Sequence, residues 1–115
     1  MAEPLFHVAE ASDWDTARRR GRYDRSTRGR SLDDVGFVHL STAAQWPGVL
    51  ERYYADHAGP LLLLTVDPDR LTAPLRWEAP ATGSPELFPH LYGPLDPDAV
   101  VGVETIRPGP GVTGR

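Results

Sequence analysis

A histidine in the middle of an apolar stretch is the first residue of this chain that poses a chemical question. His39 lies within Gly36-Phe37-Val38-His39-Leu40-Ser41. Strand alternation sets Phe37, His39 and Ser41 on one face and Val38 and Leu40 on the other. An imidazole and a hydroxyl sharing a buried face need partners: each other, the backbone or a ligand. A second cluster is Phe88-Pro89-His90-Leu91-Tyr92, ahead of Gly93-Pro94. An extended chain there puts Phe88, His90 and Tyr92 on one side, a common setting for ligand contact. Glu78 is separated from this cluster by a loop and can reach the same cleft, with Arg76 on its face as an ion-pair partner. Glu104 is a rival carboxylate. A core histidine, a tyrosine that caps backbone groups and a surface carboxylate are the plain structural alternatives.

Two imidazoles suit proton transfer near neutral pH, and a carboxylate beside them suits stabilisation of positive charge. Histidines at 7, 39, 57 and 90 lack the close spacing of a helical zinc motif. No metal is therefore expected, although His39 and His90 leave a two-ligand site open. No Gly-x-Ser-x-Gly elbow and no phosphate-binding glycine loop occur. The absence of cysteine and lysine removes thiolate and Schiff-base mechanisms.

The elements that must position these groups read in order. Leu5 to Val8 is a short strand. Ser12 offers an N-cap for a helix over residues 13–20, with Trp14 and Ala17 inward and Gly21 at its end. Residues 22–34 read as a polar, mobile loop. The Gly36–Ser41 strand follows, and Thr42 with Gln45 forms a capping box for the next helix. Trp46, Val49, Leu50, Tyr53, Tyr54 and His57 recur along that helix at apolar spacing before Gly59-Pro60 stops it. Leu61 to Val66 is a strand buried on both faces. Asp67 to Arg70 is a turn, Leu75 to Glu78 an alternating strand, 79–87 a loop, and Val100 to Ile106 the last strand. This order predicts an α+β fold, with one domain over residues 1–107 and a flexible tail over 108–115.

With 115 residues, 40% apolar and 24% charged, the composition is that of one globular domain. No apolar run has the length of a membrane helix, and no secretory signal is evident, so a cytoplasmic location without membrane contact is expected. Twelve basic residues, all arginine, against sixteen acidic ones give a net charge of −4. That balance argues against general nucleic-acid binding. Seven arginines nevertheless crowd positions 18–30, either as a solvated face or as an anion contact.

Taken together, Gly21-Arg22-Tyr23, Gly36-Phe37-Val38-His39-Leu40-Ser41-Thr42 with Gln45, Trp77-Glu78 and Phe88-Pro89-His90-Leu91-Tyr92-Gly93-Pro94-Leu95 resemble the domain-of-unknown-function 952 family of small bacterial proteins. The resemblance covers about residues 5–107. Arg25–Arg30 looks longer than the usual family connection. The family is grouped by fold with the ADP-ribosyltransferase superfamily, which implies small split antiparallel sheets, two main helices and a cleft for NAD. By that resemblance His39 bonds a ribose hydroxyl and Ser41 helps to seat the nicotinamide side. A stacking tyrosine, Tyr92 or Tyr53, and a carboxylate, Glu78 or Glu104, complete the set, and no spacing fixes either.

The expected catalytic residues are thus His39, Glu78 and His90. The expected ligand contacts are Ser41, Thr42, Gln45, Arg76, Phe88 and Tyr92. The expected partner is a small molecule or nucleotide, with NAD as a substrate, and the protein acts as a monomer or homodimer. Three functions follow: an NAD-type transferase, a His39/His90 acid–base enzyme of a biosynthetic pathway, and a non-catalytic ligand-binding module.

Overall fold

Leu61-Leu62-Leu63-Leu64-Thr65-Val66 has apolar side chains for both of its faces, and it becomes the central strand of a sheet. The computed structural model describes residues 3–28, 30–79 and 85–107. Strand β1 (Leu5–Glu10) leads directly into helix α1 (Ala11–Arg20), and a one-turn helix α2 (Leu32–Val35) precedes the two-residue strand β2 (Val38–His39). Helix α3 (Trp46–Tyr54), β3 (Leu61–Val66), β4 (Leu75–Glu78), β5 (Phe88–Leu91) and β6 (Val100–Ile106) follow. Short 3-10 turns at Pro68–Arg70 and Pro97–Ala99 each receive a side-chain cap from the preceding aspartate, Asp67 or Asp96.

The strands form two antiparallel sheets of three, β1-β3-β6 and β2-β5-β4. Leu64 and Val66 of the first sheet pack with Trp14 and Ala17 of α1 and with Val38, Leu40 and Leu91 of the second. Leu61 and Leu63, on the other face, pack under Val49, Leu50 and Tyr54 of α3. The expected α+β class, the paired small antiparallel sheets and the two principal helices are all present. No helix among the described residues is long and apolar enough to cross a membrane.

Three boundaries differ from the sequence reading. Helix α1 starts at Ala11, so Ser12 lies inside it; Glu10 holds the cap position without a side-chain bond, and the Ala11 amide is met by the Pro60 carbonyl at 3.1 Å. A tertiary carbonyl replaces the local cap. Helix α3 ends at Tyr54, three residues before His57, whose ring turns back to Glu10 and Gly59. Residues 22–28 and 30–34 carry more regular structure than the expected loop. Tyr23 exchanges two backbone hydrogen bonds with Leu95 and is 2% exposed, and Ser31 and Asp34 close a capping box on α2. The arginines give this stretch a solvent-loving composition, while Tyr23 and Ser26 turn inward. Residues 80–84 of the anticipated loop and the anticipated tail 108–115 lie outside the described residues.

Candidate active site

Antiparallel pairing sets His39 directly opposite His90, and Arg76 opposite His90 on its other side. With period-2 alternation, one face of the second sheet therefore carries Phe37, His39, Phe88, His90, Tyr92, Arg76 and Glu78. The imidazole centroids of His39 and His90 are 5.4 Å apart. Phe37 stacks on His90 at 3.9 Å with a 13° interplanar angle, and Phe88 lies 5.0 Å from the His39 ring. The Arg76 guanidinium lies over Tyr92 at 5.3 Å, within cation–π range.

Glu78 organises this face. Its Oε1 accepts from the Tyr92 hydroxyl at 2.5 Å and from His90 Nδ1 at 2.9 Å. Those two hydrogen bonds, the Tyr92 one first, hold the Glu78 carboxyl below the usual carboxylate range, and the same bond raises the Tyr92 phenol. An ionised carboxylate can only accept, so His90 carries a proton on Nδ1, which in the neutral ring leaves the lone pair on Nε2. Nε2 is buried and has no hydrogen-bond partner among the described residues. Buried polar atoms are normally satisfied, so this nitrogen stands out among the polar atoms of the face.

His39 is fixed through its backbone. Its N–H donates to Ser26 Oγ at 3.2 Å, and its carbonyl accepts from His7 Nδ1 at 2.7 Å. The other nitrogen of His7 accepts from the Tyr23 hydroxyl at 2.9 Å. Burial, followed by the proximity of His7 and His90, lowers the His39 pKa to about 4; burial also lowers His7 to about 4. Both rings are neutral at pH 7.

Two hollows meet at His39 and Tyr53. The larger, about 490 Å³, is lined by Phe37, His39 and His90 together with Thr27, Arg28 and Arg30. The smaller, about 170 Å³, is lined by Gln45, Arg52, Glu86 and Phe88. The larger volume falls within the roughly 300–1,000 Å³ typical of small-molecule sites.

The geometry thus gathers His39, His90, Glu78, Arg76, Phe88 and Tyr92 on one face, and Gln45 on an adjoining wall. Ser41 is buried where the sheets meet, exchanging backbone hydrogen bonds with Phe6 of β1. Thr42 lines neither hollow; its N–H donates to Gln45 Oε1 at 3.0 Å, the Gln45 half of the expected capping box. Glu104 sits on β6 opposite Leu63, in the other sheet, which leaves Glu78 as the carboxylate of this face. No group of three or more metal-ligating side chains occurs among the described residues. Sequence reasoning missed His7 and Ser26, and it left Arg28 among seven arginines read either as a solvated face or as an anion contact. His7 carried the same signal as His39, an imidazole in an apolar strand.

The chain belongs to the family described as "Protein of unknown function (DUF952)", whose profile matches residues 8–103. Among solved structures it is similar to the crystal structure of protein CC0527 from Caulobacter crescentus, with 29% identity and a TM-score of 0.75. That match covers 90% of this chain and 86% of the other. The solution NMR structure of CC0527 matches with 31% identity and a TM-score of 0.67, covering 88% of this chain and 82% of that one. No curated protein matches the chain.

Proposed function

We propose that the chain is an enzyme that transfers protons on a small polar molecule held against the second sheet, with His90 as the general base and acid. The observation that carries this reading is the unpartnered, buried Nε2 of a ring whose Nδ1 is held by the Glu78 carboxylate. In this reading Nε2 takes a proton from a substrate hydroxyl, amine or activated carbon. The imidazolium that forms is stabilised by Glu78, which stays ionised, and the proton is returned to the product or leaving group. Neutral His39, 5.4 Å away, supplies a second polar contact, and the Phe37 stack keeps the His90 plane fixed.

A pool of soluble metabolites followed by mass spectrometry tests the activity. His90→Ala is expected to slow turnover by about 10²–10⁴-fold, and conversion at the wild-type rate would remove His90 from the mechanism. Independently of substrate, long-range proton–nitrogen spectra should show His90 protonated at Nδ1. A proton on Nε2 in the neutral ring would contradict the assigned role.

A second reading, transfer of a ribosyl group from NAD or a related nucleotide, draws support from the position of His39-x-Ser41 where two small sheets meet. His39 would hold the ribose and Glu78 would stabilise an oxocarbenium-like centre. Glu78 is already engaged by His90 and Tyr92, which places this reading after the first. Saturating NAD or ADP-ribose should raise the melting temperature if it holds.

A further inference from the structure

We propose that the molecule taken by this site carries an anionic group, a phosphate or a carboxylate, seated on Arg28 and Arg30 in the larger hollow that His90 also lines. The inference rests on the acid–base reading and adds the substrate's charge and layout. Two guanidinium groups and no carboxylate line that hollow among the described residues, in a chain whose net charge is −4. Low-dielectric walls such as Phe37 and Val35 focus the field of these cations into the space between them.

The ion pairs of the arginine-rich stretch separate its members. Arg19, Arg22 and Arg25 pair with Asp15, Asp24 and Asp13, all outside the hollow. Arg30 makes no ion pair among the described residues. Its backbone is held in a turn by Ser26 N–H to Arg30 O at 2.8 Å and Arg30 N–H to Thr27 O at 2.8 Å. Arg28 lies across the rim, donating to Asp56 at 2.6 Å and to the Tyr53 carbonyl at 3.2 Å. Asp56 is 86% exposed, and an exposed pair of this kind contributes little, so an incoming anion can replace it. Thr27, which lines the same hollow, offers a hydroxyl.

His90 lines the same hollow, and its Nε2 has no hydrogen-bond partner among the described residues. Cations and a proton acceptor in one hollow define a ligand with an acidic group and, apart from it, a hydroxyl or amine. A neutral apolar molecule would leave all three unmet.

Titration of the full-length protein with inorganic pyrophosphate and, separately, malonate tests this by calorimetry and by the histidine-ring NMR signals. At least one anion should shift the His39 and His90 signals. Arg28→Gln/Arg30→Gln should weaken it by at least about tenfold, and Arg70→Gln, on the distant 3-10 turn, should leave it unchanged. Binding of pyrophosphate alone assigns a phosphate; binding of malonate alone assigns a carboxylate. Silence of both rings at tens of millimolar of either anion, or equal binding by the double variant, overturns the inference. Conversion of a neutral compound in a His90-dependent reaction would overturn it while leaving the acid–base reading intact. Anion capture by a protein whose His90→Ala variant turns over normally would do the reverse.

Discussion

The two central strands, β3 and β5, are both enclosed, yet they enclose different things. Strand β3 is paired along its length with β1 and β6 and sends leucines into cores on both faces. Strand β5 is paired with β2 at only two positions and with β4 at four, and all four of its residues are buried, His90 among them. One strand spends its burial on hydrocarbon contact; the other holds a titratable ring with a free nitrogen. The contrast sets the hydrocarbon core around the first sheet and the ring that the proposed chemistry uses in the second.

Paired substitutions test that division most strongly. Leu64→Ala should cost about 2–5 kcal/mol in urea unfolding, the range for a leucine deleted from a rigid core. His90→Leu should cost about 1 kcal/mol or less, because it also removes an unsatisfied buried nitrogen. Equal losses would make the imidazole structural and break the comparison.

Next in size is the pH dependence carried by His7, which lies at the joint between the sheets. Its pKa is near 6.5 when unfolded and about 4 when folded. Between those values the unfolded chain binds the extra proton. Stability present above pH 6.5 should therefore fall as the pH drops toward 4 and level off below it. The change from this one ring is about 3 kcal/mol. Urea midpoints measured across that window should lose about half of their slope in His7→Gln, because His39 is lowered to the same value; an unchanged slope would reassign the effect.

The smallest change concerns the tie between α3 and the segment before β5. Gln45 accepts from the Thr42 amide and donates to Glu86 Oε2 at 3.0 Å and the Leu87 carbonyl at 2.8 Å. Gln45→Ala should cost about 1 kcal/mol and speed hydrogen exchange in β5 while sparing β3. Uniform acceleration of both strands would show that the sheets open as one unit.

Much of the first sheet was legible in the sequence, because an apolar run bounded by Gly59-Pro60 and Asp67-Pro68 leaves few alternatives. Alternation alone gave three separate sets, Phe37 with His39 and Ser41, Phe88 with His90 and Tyr92, and Arg76 with Glu78; the pairing register joins them on one face. The partnership of His90 with Glu78 was not legible, since pairing register decides which carboxylate arrives, and Glu104 had equal standing. The backbone pairing of Tyr23 was not legible because its partner is Leu95, over seventy residues later. Ser12 failed as a cap for a related reason: the Pro60 carbonyl had taken the amide at the start of the helix.

The passage of the chain from one sheet to the other has a kinetic corollary. Within two residues Leu40 bonds Pro89 of the second sheet and Ser41 bonds Phe6 of the first. Little slack remains between the walls on either side of His39. Under the proposed function, an arriving molecule would meet the His39 side of its socket already in place, and capture should proceed without a slow closing step there. Selectivity among related compounds would then reside in how long each one stays.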